Sequence, residues 1–329
     1  MRHKGVVTAA VTTVLALSFV LMAAQGAAST PGVSGTHVSL TKLPSGAGSL
    51  AYRSPFTAGI LKSASTPTTL CSALTYSDEA GGVYPITKTE AFVLDWATGN
   101  LTLCAAGVDT VIQAVPAAVA GYGYYGLSGV MVHGSLDLLL LSWDVYGGWY
   151  CLGATTSGCA STSYFSLPST FCSAQPYTFC NPDGVVLAKS LGFTYVDILN
   201  LEMVTCTASA ASCAVDAASS AFSGYAPVGL TEYKSKFYVS DNSCTGNIWV
   251  GTTKSVKVLY TEGNSLEGIA FHKHTLYVGD DAYCGGVAGI LNAKTGVELP
   301  TIFTGPVEII GLDWDLQFTT YSPGAVYLQ

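Results

Sequence analysis

The sequence predicts an all-β protein: a six-bladed β-propeller, closed by an N-terminal strand that completes the last blade and stapled by disulfides. Three observations predict it. A segment running from a glycine to an aspartate recurs along the chain at a period near 40–50 residues, with room for about four short strands each time. Within these segments side chains alternate with period 2, as in "KFYVSD", where Phe237 and Val239 point one way and Tyr238 and Ser240 the other. Charged residues make up 10% of the 329 positions, against about 25% in ordinary soluble domains, too few to give helices polar faces.

The N-terminus reads as an address. "MRHK" is basic, an uncharged apolar run follows, and small residues precede a cut near Ala28. This is the layout of a secretory signal peptide over residues 1–28, leaving 29–329 as one propeller domain in a secreted, extracellular protein. The apolar run is long for a signal, so an uncleaved anchor is the rival reading. No later segment approaches the roughly 20 apolar residues of a membrane span. After cleavage the net charge of −8 becomes −10. With no basic cluster beyond residue 4, nucleic-acid binding lacks its footprint.

The first regular strand after the cut is "THVSLTKL", residues 36–43, which the sequence offers as the closing strand. The stretch from about 50 to 115 is the least regular. It holds the hairpin "AFVLDWATGNLTLC", which matches "AGILNAKTGVELP" further on. The clear copies then begin at Gly129, Gly184, Gly229, Gly268 and Gly311. The last runs out about three strands into a blade, which is why a closing strand is needed to remove an open edge. The poorly delimited first blade leaves five and seven blades open.

Ten cysteines, all beyond the signal, suit an oxidising compartment. Spacing suggests Cys151–Cys159 and Cys206–Cys213 across hairpins and Cys172–Cys180 around a small loop, with Cys244–Cys284 and Cys71–Cys104 as long-range candidates. The alternative, zinc or redox use, finds no CxxC and no histidine beside the cysteines.

"GLTEYKSKFYVSDNSCTGNIWV" and "GIAFHKHTLYVGDDAYCGGVAGIL" resemble the repeats of the NHL-repeat and SMP-30/gluconolactonase-like six-bladed propellers. The resemblance is clear over residues 226–303. It implies the propeller fold. In the SMP-30 branch it implies a divalent cation such as calcium, held in the central channel by acidic and amide side chains just before the glycine of each inner strand. Here those positions are Ser128, Asp183, Val228, Glu267 and Ile310. Two carboxylates stand where calcium wants six to eight oxygens, which makes Asp183 and Glu267 the candidate metal ligands and also argues against a lactonase.

Up-and-down strand order brings a second set of acids to the same end as Asp183 and Glu267: Asp144, Asp197, Asp241, Asp280 and Asp281. Together they predict an acidic face that binds an extracellular protein, glycan, small ligand or cation. The plain structural reading is that an Asp after a strand accepts backbone amides in an Asx-turn. Recurrence favours it for Asp144, Asp197, Asp241 and Asp280. Asp281 has no counterpart, since Asn242 stands at that place.

Among other motifs, His272 and His274 fall in a turn at the opposite end. "GYGYYG", residues 121–126, reads as a sugar-stacking platform or as a loop with core tyrosines. No nucleophile elbow, P-loop or dinucleotide-binding glycine pattern is present. The leading expectation is therefore a binding or interaction module. A metal-dependent hydrolase of the lactonase type and an extracellular structural component are the alternatives.

Overall fold

The computed structural model describes residues 67–72, 80–121, 123–143, 145–168, 181–281, 284, 289–295, 297–299, 309–313, 316–320 and 325–328. The signal segment 1–28, the strand expected at 36–43, Asp144 and the Cys172–Cys180 pair lie outside them.

Nearly continuous apolar runs such as "AFVLD" and "LDLLLLS" are buried on both faces, because each sheet is packed between neighbours on two sides. The described strands form six four-stranded antiparallel sheets. Sheet 1 comprises Ala80–Thr87, Glu90–Asp95, Leu101–Ala105 and Val108–Gln113. Sheet 2 comprises Tyr124–Val132, Ser135–Ser142, Gly147–Thr155 and Gly158–Ser166. Sheet 3 comprises Pro182–Leu187, Phe193–Asp197, Glu202–Cys206 and Cys213–Val215. Sheet 4 comprises Pro227–Tyr233, Lys236–Asp241, Asn247–Thr252 and Ser255–Thr261. Sheet 5 comprises Ser265–His272, Thr275–Asp281, Gly289–Asn292 and Val297–Leu299. Sheet 6 takes Ile309–Leu312, Gln317–Thr320 and Ala325–Leu328, with Thr68–Ser72 added beside the last of these.

The sheets follow one another in a cycle. Each first strand neighbours the first strand of the next sheet, and that of sheet 6 returns to that of sheet 1. A buried apolar cluster fills every junction. Phe237 and Val239 face sheet 3, while Tyr238 faces sheet 5, as the alternation requires. This is a propeller, with the first strands lining its axis.

Two disulfides tie neighbouring sheets. Cys71 of sheet 6 bonds Cys104 of sheet 1 (Cα–Cα 5.8 Å), and Cys244 and Cys284, in the loops after Asp241 and Asp281, bond with Cα–Cα 5.6 Å. Cys151–Cys159 and Cys206–Cys213 each join the third and fourth strands of one sheet. Four disulfides among the described residues fit an oxidising environment.

Three sequence-based expectations change. The strand that pairs with the C-terminal one is Thr68–Ser72 rather than 36–43. Its five residues lie in the irregular stretch, and it is secured by Cys71, which no periodicity reveals. "AFVLDWATGNLTLC" forms the second and third strands of sheet 1, whereas "AGILNAKTGVELP" covers the third and fourth of sheet 5. Their matching turns therefore sit at opposite ends of the propeller. In sheet 2 the glycine facing the axis is Gly126, not Gly129. Gly129 is three residues further along a nine-residue strand, packed against the Tyr84 ring.

Candidate functional site

Each first strand approaches the axis with a glycine, because a side chain there would strike the next sheet. A Cβ on Gly184 would lie 2.3 Å from the Leu230 amide nitrogen, and one on Gly229 would lie 2.2 Å from the Glu267 carbonyl oxygen. The same relation links Gly126 to Asp183, Gly268 to Leu312, and Gly311 to Gly82. In sheets 3, 4 and 5 the register shift spans this glycine, and in sheets 1, 2 and 6 it ends on it, so all six first strands are irregular at the axis. The residues around these glycines line an axial cavity of about 70 Å³, room for a few waters.

Asp183 of sheet 3 and Glu267 of sheet 5 both line this cavity, with Val228 of sheet 4 between them, and Tyr125 of sheet 2 joins them. Both carboxylate residues are half-buried. Glu267 is positioned by sheet 4: Ser240 Oγ donates to its carbonyl oxygen, and Asn242 Nδ2 donates to its Oε1. Asn242 is held in turn, its Oδ1 accepting from Ser265 Oγ at 3.1 Å. Tyr125 meets Trp96 edge-on, with ring centroids 6.0 Å apart. Two acids and Tyr125, which packs against Trp96, thus stand around the axis at the end where the first strands begin, called here the upper end.

The recurring aspartates do something else. Asp197, Asp241 and Asp280 are 2%, 0% and 1% exposed. Asp241 Oδ1 accepts from the amides of Ala226 (3.0 Å) and Ser243 (2.9 Å), and its Oδ2 accepts from Ser243 Oγ (2.7 Å) and the Asn247 amide (3.2 Å). Asp197 accepts from the Leu199 and Asn200 amides at 3.0 Å each and from Asn200 Nδ2 at 2.9 Å. Asp280 accepts from Asn264 Nδ2. These carboxylates organise the upper turns and present little charge to solvent. Asp281 pairs with Ser265 at the end of its strand.

Strand register identifies the equivalent position in the other sheets. Ala80 faces Asp95 in sheet 1, and Asp95 Oδ1 accepts from Ala97 and Thr98 in the same manner. Asp95 matches no repeat in the sequence, because its strand lies in the irregular stretch. The residue before its turn, in "VLDWATG", was the signal. In sheet 2 the position is Ser142, which faces Tyr124; the repeat read there at Asp144 was displaced together with Gly129.

Burial raises the pKa of Asp197 above the ordinary carboxylate value, against the lowering effect of its amide hydrogen bonds. Glu202, its cross-strand partner, is also raised, by burial and then by the charge of Asp197. In "GYGYYG", Tyr124 is a core residue whose hydroxyl donates to the Val119 carbonyl at 2.6 Å, and Tyr125 is the axial one. His272 and His274 sit at the lower end, where His274 Nδ1 contacts the Tyr233 hydroxyl. Among the described residues no group of three or more His, Cys, Asp or Glu side chains is placed to hold a metal ion, and no helix is long and apolar enough to cross a membrane.

No protein-family model matches the sequence, and no curated protein matches it. Solved structures do share its fold. A protein of unknown function from Bacteroides thetaiotaomicron aligns with a TM-score of 0.55 at 12% identity, over 80% of this chain and 75% of its own. Virginiamycin B lyase from Staphylococcus aureus, in a catalytically inactive form with quinupristin, aligns with a TM-score of 0.51 at 13% identity, over 75% and 79%. A chain of a nidogen/laminin complex aligns with a TM-score of 0.50 at 13% identity, over 70% and 84%. At these identities the likeness concerns the fold alone, a β-propeller. The NHL/SMP-30 relationship remains a likeness of repeats.

Proposed function

We propose that the protein is a secreted binding module: a six-bladed propeller closed by Thr68–Ser72, exported by residues 1–28, whose ligand engages the upper mouth of the axis. The observation that carries this reading is the contrast among the acids. Asp197, Asp241 and Asp280 are consumed by turns, whereas Asp183 and Glu267 line the axial cavity beside Tyr125. Carboxylates sharing a cavity with an aromatic residue suit a cationic or polar group carried by an extracellular protein, glycan or small ligand. The cavity itself, about 70 Å³, is far below the roughly 300–1,000 Å³ of ordinary small-molecule sites. A protruding side chain of a larger partner suits it better than an enclosed substrate.

The metal-dependent hydrolase would use the same two carboxylates and needs several more oxygen ligands. The separating experiment is metal analysis of protein purified without chelators, combined with a lactone-hydrolysis assay. The binding module predicts substoichiometric metal and no turnover. One calcium or zinc per chain that is lost in Asp183→Ala or Glu267→Ala, together with lactone turnover, supports the hydrolase instead.

A further inference from the structure

The net charge of the sequence hides how its charges are sorted. The described residues include eight lysines and no arginine, and all eight lie at the lower end, on or beside turns joining the first to the second strand or the third to the fourth. Lys88 and Lys189 occupy the first such turns of sheets 1 and 3. Sheet 4 brings Lys234 and Lys236 on one turn, and Lys254 and Lys257 on or just past the other. Sheet 5 adds Lys273 and Lys294. All eight are exposed, and among the described residues none has a carboxylate within ion-pair distance. His133 and His274 are exposed on turns at the same end.

The acids at this end do not balance them. Glu90 and Asp109 are half-buried, and Asp137 is buried with its Oδ1 accepting from the Gly153 amide at 2.9 Å. Asp313 is buried, and Glu232 is the exposed carboxylate among the side chains described at this end. Among the described residues most acids belong to the upper end, where Asp95, Asp197, Asp241 and Asp280 are inside turns.

We propose that the lower face, centred on sheets 4 and 5, is a second binding surface for an anionic extracellular polysaccharide. Within a sheet the two lower turns are two strands apart, about 10 Å. Lys234 and Lys254, and likewise Lys273 and Lys294, thus form a ladder at the scale of a disaccharide repeat. Tyr233 stacks on Phe271 with centroids 4.3 Å apart, and the Lys234 ammonium lies 5.1 Å from the Tyr233 ring, giving a flat apolar surface beside the charges. Turn tips such as Lys234-Ser235 and Lys273-His274 carry no apolar side chain to bury in a bilayer.

The test is binding of the full protein to immobilised heparin at low and moderate salt. Phosphatidylserine vesicles and duplex DNA of matched charge serve as competitors, and Lys234→Glu/Lys254→Glu/Lys273→Glu/Lys294→Glu as the variant. All four sites are exposed turn positions, and circular dichroism checks the variant's fold. The expected result is retention that weakens steeply with salt, at least tenfold weaker binding of the variant, and preference for the glycan over both competitors. Failure of the wild type to be retained at low salt, equal retention of the folded variant, or stronger binding to vesicles or DNA would each overturn the proposal.

Discussion

Asp241 Oδ1 accepts the amide proton of Ala226, fifteen residues earlier in the chain, at 3.0 Å. The bond ties the end of the second strand of sheet 4 to the start of its first. With Ser243 and Asn247 on the same carboxylate, one buried side chain sets the whole upper turn. Replacing it strands several buried donors, each costing about 1–3 kcal/mol. Asp241→Ala should lower unfolding stability by roughly 3 kcal/mol or more. Lys254→Gln, at an exposed turn position, should change it by less than about 0.5 kcal/mol, as an ordinary surface substitution does. Urea denaturation of the two variants checks the contrast.

The axial glycines give a second prediction. In Gly229→Ala the new Cβ would meet the Glu267 carbonyl oxygen at 2.2 Å and Ser240 Oγ at 2.4 Å, and the carbonyl is backbone that cannot swing aside. The variant should be destabilised by about 2–3 kcal/mol or fail to fold. Gly224→Ala meets no atom within 4 Å but sits at φ +84°, and should lose only about 1–2 kcal/mol. Thermal unfolding of the pair separates close approach from backbone conformation.

The Cys71–Cys104 disulfide joins sheet 6 to sheet 1 across a separation of 33 residues. Loop-closure entropy puts its contribution at about 3–4 kcal/mol. In Cys71→Ser/Cys104→Ser, amide exchange should accelerate first in Thr68–Ser72 and in its partner Ala325–Leu328, while sheet 4 keeps its protection. Uniform acceleration through all six sheets would show that the bond does not act on this junction.

Asp197 and Glu202 face each other across two strands, and both are raised above the ordinary carboxylate range, burial being the larger cause. The native state then holds their protons more tightly than the unfolded chain. The pair's contribution is therefore most favourable below the unfolded pKa and is lost as pH rises through the folded values. In Glu202→Gln the like charge is gone and the dependence should flatten. Urea midpoints measured from neutral pH down to just above the ordinary carboxylate pKa should rise in the wild type more than in the variant, once general acid effects are referenced to Asp197→Asn/Glu202→Gln.

Sheets 4 and 5 were legible residue by residue, because both repeats keep glycine, strand and aspartate at the same spacing. Sheet 2 was misaligned by three residues, since Gly126 and Gly129 compete for one role and a serine, Ser142, replaces the aspartate. Asp95 and Thr68–Ser72 were invisible because a strand of five or six residues has too little pattern to stand out without a repeat to match. The sorting of charge could not be read either. Charged residues count equally in a composition, yet Asp241 is inside a turn while Lys254 is on the surface. The axial position of Asp183 and Glu267 was legible because it depends only on which residue precedes a glycine.

The central claim is that Asp183 and Glu267 receive a cationic group at the axis. Its most direct test selects peptides from a displayed random library on the wild-type protein, then measures their affinity for Asp183→Asn/Glu267→Gln. The selected peptides should be rich in Lys or Arg and bind the double variant at least tenfold more weakly. Selected peptides without a basic residue, or ones that bind the double variant as tightly as the wild type, would contradict it.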